Sequence, residues 1–217
     1  MSGTPRSDRS HRVWRRSTLV GIGTVLVLIP IGGAYRGPAI PTPAARYDGL
    51  RPPVVFGSGT LTTPSSKSKA ISYDPDLAPI GAAMTATVIP TSEGSMAELT
   101  VFGLLPNHPY VAYAYTKACG TTPDAAGRHF QNHLDPAARS RAPSTNPEYA
   151  SSENEIRLDV RTDAAGAGDS RTSVPFTLSD RTPGSFVVHD AVPSPAKDHG
   201  EVGKAGLRVA CLTLSSR

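Results

Sequence analysis

At 217 residues the chain can hold one domain with a substantial core plus an appendage. Its 20 Gly and 21 Pro, with only 18% charged residues, suit an all-β domain rich in turns better than a helical one. The net charge of +4 does not mark a nucleic-acid face: residues 1–16 carry five Arg and one Asp, which is already +4, so the rest is neutral.

The first element is a leader. A basic segment ends at Arg15 and Arg16, and an apolar run, Leu19 to Tyr35, follows it. A positive segment before an apolar one is the pattern of a secretory signal, with cleavage after Ala34 as one expectation and an uncleaved membrane anchor as the other. The run is short of the roughly 20 residues of a full span, and Pro30 interrupts it. Either way the domain is expected outside the cytoplasm, secreted or tethered to the outer face of the cell membrane. Residues 36–69, rich in Pro, Ser, Thr and Gly with no period, read as an extended linker, leaving 70–217 as the domain.

From Ala70 the texture changes. "MTATVIP" and "AELTVFGLLP" carry β-branched residues around "TSEGSM", a hairpin signal. "YVAYAYT" is the next predicted strand, with Tyr113 and Tyr115 two apart and therefore on one face. "ENEIRLDVRTD" and "SRTSVPFTL", joined by "AAGAGD", read as a second hairpin, and "GSFVVHD" and "LRVACLTL" complete the set. Two long stretches lack a strand period, Lys117 to Ser151 and Ala191 to Gly206, and long loops on a β scaffold are where function concentrates. The two cysteines, Cys119 and Cys211, argue for a disulfide in an exported domain, with two buried thiols as the alternative.

No G-x-S-x-G, P-loop, H-E-x-x-H or C-x-x-C motif is present. The histidines are more informative. With His11 in the leader and His108 in a turn set aside, His129, His133, His189 and His199 lie in or beside the two long loops. Imidazole is the commonest ligand for copper and zinc, so this concentration points to metal.

"YVAYAYTKACG", "AGRHFQNHLDP", "GSFVVHD" and "GKAGLRVACLTL" follow one another in the order and spacing of the copper/zinc superoxide dismutases. Over about residues 68–215 the chain resembles the exported, divergent actinobacterial branch of that family. The resemblance implies an eight-stranded antiparallel Greek-key β-barrel, a flattened sandwich with long loops at one end. It implies a disulfide between Cys119 and Cys211, an anion-guiding role for Arg208, and metal-ligand roles for His129, which bridges the metals, and His189. It implies copper and zinc as cofactors and superoxide as the substrate if the family chemistry is retained.

One departure stands out. Where the family reads H-x-H and holds copper, this chain has Tyr113 and Tyr115. Neutral imidazoles hold both copper states, whereas a phenol with a pKa near 10 is a poor ligand until ionised. The zinc set is also reduced, to His129, His133 and a carboxylate such as Asp135, with Glu148, Glu153 and Glu155 in a stretch that has no clear family match. The residues point first to an exported binding or envelope module with lost copper catalysis. Family chemistry points to an active dismutase with altered ligation, using Arg208 and His129, and the loop histidines to copper or zinc storage.

Overall fold

The computed structural model describes residues 52–138, 144–191 and 206–217. The leader, the first part of the expected linker and His199 lie outside these residues. The described residues belong to one compact unit, Arg46–Arg217. Among them no helix is long and apolar enough to cross a membrane.

Among the described residues ten strands form two five-stranded antiparallel sheets. The strands are β1 (Val55–Thr60), β2 (Ala70–Ser72), β3 (Ala83–Thr91), β4 (Gly94–Phe102), β5 (Pro109–Tyr115), β6 (Arg157–Arg161), β7 (Gly168–Val174), β8 (Ser185–Asp190), β9 (Arg208–Thr213) and β10 (Ser215–Ser216). The first sheet runs β10-β1-β3-β4-β7 and the second β2-β9-β8-β5-β6. The all-β expectation therefore holds, and the architecture is that of a β-sandwich.

Alternation builds the core. Met84, Ala86 and Val88 of β3 and Ala97, Leu99 and Val101 of β4 point inward and are buried, while Thr85 and Phe102 between and beyond them are exposed. The second sheet contributes Ala112, Ala114, Leu158, Phe186, Val188 and Leu212. Each large side chain so buried contributes about 1.5–3 kcal/mol.

Two expectations are corrected. The stretch read as linker up to residue 69 contains β1, which pairs with β3 along six residues, and Leu61, which is fully buried. Its glycines are a packing requirement: a Cβ on Gly57 would lie 2.6 Å from the Thr213 carbonyl oxygen, and one on Gly59 2.8 Å from the Ala70 Cβ. Small residues that read as flexibility are there because other strands press on them. The second correction concerns the predicted hairpin of residues 153–178. The turn exists, with Gly166 N–H donating to Asp163 O, but its arms part company: β6 joins β5 in one sheet and β7 joins β4 in the other. A turn signal in sequence does not say which sheet each arm joins.

Candidate functional site

The outer face of the second sheet is set by register. Tyr113 lies opposite Val187, which lies opposite Cys211, and Tyr115 lies opposite Ser185. The side chains of Tyr113 and Tyr115 thus leave the face away from the core, while Ala112 and Ala114 fill the interior. A register shift between Val188 and His189 puts Arg208, not Val209, opposite His189. Val209 is thereby free to join the core, and Arg208 shares a face with His189 and Tyr115.

The first long loop covers this face. Thr116 N–H donates to Arg128 O at 3.0 Å and Phe130 N–H to Ala114 O at 2.8 Å, so the chain returns beside the end of β5 and brings His129 over the tyrosines. Cys119 and Cys211 form the disulfide that pins the loop to β9. Tyr73 adds a hydrogen bond from its hydroxyl to Gly120 O, 2.9 Å. The loop fits closely: a Cβ on Gly184 would fall 2.4 Å from the Lys117 carbonyl carbon.

Four rings meet under the loop. Tyr113 stacks on His129 with centroids 4.3 Å apart and an interplanar angle of 14°. Tyr115 meets His129 edge-on at 4.9 Å and lies 6.0 Å from His189. The tautomers follow from the partners. His189 Nδ1 is 2.7 Å from Gly206 O, and a carbonyl can only accept, so Nδ1 carries the proton. His189 Nε2 is then a lone pair, and the Tyr115 hydroxyl donates to it at 3.1 Å. His129 Nδ1 donates to Glu155 Oε2 at 2.9 Å, and the other carboxylate oxygen accepts from Gln131 Nε2 at 2.8 Å.

Burial pushes the Tyr115 phenol up to about 12, against the opposite pull of the positive charge of Arg208, whose guanidinium lies 4.8 Å from the ring centroid. Burial also raises Tyr113. Both phenols are therefore protonated at neutral pH. Arg208 donates to Pro123 O at 2.8 Å and pairs with Asp124 at 3.1 Å, so the expected anion guide is held inward among protein partners.

The other expected ligands disperse. His133 is exposed, and its backbone, not its ring, is gripped by Asn154 at 2.6 and 2.9 Å. With Glu148, Tyr149 and Glu153 it lines a separate cleft of about 600 Å³. Asp135 shapes its loop, accepting from the Ser144 hydroxyl at 2.5 Å and from Ala137 N–H at 2.8 Å. The Ser144 bond, first among its causes, lowers the Asp135 carboxyl below its usual range. Two residues that matter most carry little or no sequence signal: no local pattern marks Gln131, and Glu155 is one of three loop carboxylates.

A copper or zinc ion requires three or four deprotonated donors. Here the cluster offers two imidazoles and two neutral phenols, with one imidazole nitrogen already accepting from Tyr115. Among the described residues no three His, Cys, Asp or Glu side chains come together to hold a metal. The donor set does not fit the metals that the resemblance implies. Comparison with models of known protein families and with curated proteins finds no match.

Proposed function

We propose that this chain is an exported domain of the copper/zinc superoxide dismutase type whose copper chemistry has been replaced by an aromatic–imidazole cluster, and that it acts as a binding or envelope module without dismutase turnover. One contact carries the reading: the Tyr115 hydroxyl donates to His189 Nε2, the nitrogen that a copper ion would need. The resemblance in order and spacing, the two-sheet architecture, and the disulfide at Cys119 and Cys211 are consistent with the fold type.

The deciding experiment loads the oxidised full chain with Cu(II) and Zn(II), dialyses it, and measures bound metal and dismutase activity. The expectation is less than about one-tenth of an equivalent of copper and no activity above buffer, because protonated phenols are weak donors for either copper state. Near-stoichiometric copper with turnover would overturn the reading and favour an active dismutase. Metal retained without turnover would favour storage.

A further inference from the structure

We propose that Tyr115 and His189 form a redox-active pair, in which Tyr115 gives up one electron to a strong oxidant of the peroxyl-radical class while its phenolic proton passes to His189 Nε2. None of the contacts involved depends on the family resemblance.

The partner of each hydroxyl singles out Tyr115. A phenol is hard to oxidise unless its proton leaves with the electron, because the protonated radical cation is far more acidic than the phenol. Tyr73 and Tyr110 donate to the carbonyl oxygens of Gly120 and Leu77, which cannot hold a proton at neutral pH. The hydroxyls of Tyr113 and Tyr149 make no hydrogen bond among the described residues. Only Tyr115, of the described tyrosines, donates to a base, at 3.1 Å. That base is ready, since the Gly206 carbonyl holds the proton on the opposite ring nitrogen.

The surroundings suit the remaining steps. Tyr115 is 1% exposed, so its radical is shielded from coupling with a second one. Tyr113 is half-buried, stacks on His129, and His129 meets Tyr115 edge-on, which gives a run of ring contacts from a partly exposed ring to the buried one. The Arg208 guanidinium lies 4.8 Å from the centroid of the Tyr115 ring. Its positive charge opposes loss of an electron, so only strong oxidants qualify.

The step balances. One electron leaves the Tyr115 ring and reduces the peroxyl radical to its anion, which takes a proton from water to become the hydroperoxide. The phenolic O–H bond breaks and an N–H bond forms at His189 Nε2. The imidazolium then returns one proton to the solvent hydroxide. The net products are a neutral tyrosyl radical and one hydroperoxide.

The test generates an oxidant photochemically, using a ruthenium(III) polypyridyl in flash-quench with the oxidised full chain, and follows the radical by electron paramagnetic resonance. A tyrosyl radical is expected that outlives the one formed in Y115F by at least about tenfold. The radical yield should fall by about as much in His189→Phe, which keeps the ring and loses the base. Y113F should slow formation and leave the final spectrum unchanged. At high field and early times, before the imidazolium returns its proton, the radical should show the lowered g-value of an oxygen receiving a hydrogen bond from His189 Nε2, a readout on the unaltered chain that does not depend on any variant folding. An unchanged signal in Y115F, an unchanged yield in His189→Phe, or a radical with no hydrogen bond to its oxygen would each overturn the proposal. Retained copper in the metal-loading experiment would bear on the proposed function, not on these outcomes.

Discussion

The hydroxyl of Tyr115 is the smallest feature on which much depends. It is buried and donates to His189, with the Arg208 guanidinium over its ring. Y115F removes one oxygen and leaves His189 Nε2 buried without that partner, so we expect a loss of about 1–3 kcal/mol in urea unfolding at pH 7. The same group sets an alkaline limit. Its folded pKa of about 12 lies above the ordinary 10, so between those values the unfolded chain loses the proton and the folded chain keeps it. The unfolded state then binds fewer protons, and stability falls as pH rises through that window. Two units correspond to about 2–3 kcal/mol, with the upward shifts of Tyr113, Tyr110 and Tyr73 acting in the same direction. Urea midpoints between pH 9 and 12 should drop steeply in the parent chain and less steeply in Y115F.

The loop between β5 and β6 is held at the level of elements. It carries His129 over the tyrosines, and besides its own backbone the Cys119–Cys211 bridge ties it covalently to β9. The two cysteines are 92 residues apart, so removing the bridge returns entropy worth about 4–5 kcal/mol to the unfolded chain. We expect C119A/C211A to lower the thermal midpoint by about 8–20 °C, on a scale of about 2–4 °C per kcal/mol for a domain of this size. Amide exchange at Thr116 and Phe130, whose N–H groups fasten the loop to its neighbours, should rise together. Exchange that stays unchanged would show that the loop's non-covalent contacts hold it without the bridge.

At the scale of the whole molecule, the domain boundary is testable. β1 is an inner strand of the first sheet, flanked by β10 and β3, and Val55 and Leu61 are both fully buried. A chain beginning at Ala70 loses both side chains, about 3–6 kcal/mol of burial, before any backbone pairing is considered. Against a typical total of about 5–15 kcal/mol this should abolish cooperative unfolding, while a chain beginning at Arg46 should melt as the parent does.

Much of this was legible in the chain. Alternating apolar residues mark β3 and β4, because a half-buried strand writes its period of two directly into the sequence, while β5, β8 and β9 show as short apolar runs because both their faces are largely covered. The shared face of Tyr113 and Tyr115 is a consequence of spacing alone, and the disulfide followed from two cysteines in an expected export context. Local pattern failed where the deciding contact was distant. Gly57 and Gly59 looked like linker until β9 and Ala70 lay against them. Gln131 and Glu155, separated by 24 residues, met only when the loop folded back. The sequence by itself determined which residues could face one another across a strand. Only the tertiary structure decided that the Tyr115 hydroxyl meets His189 and that Glu155 claims His129, because hydrogen-bond partners are chosen by three-dimensional proximity.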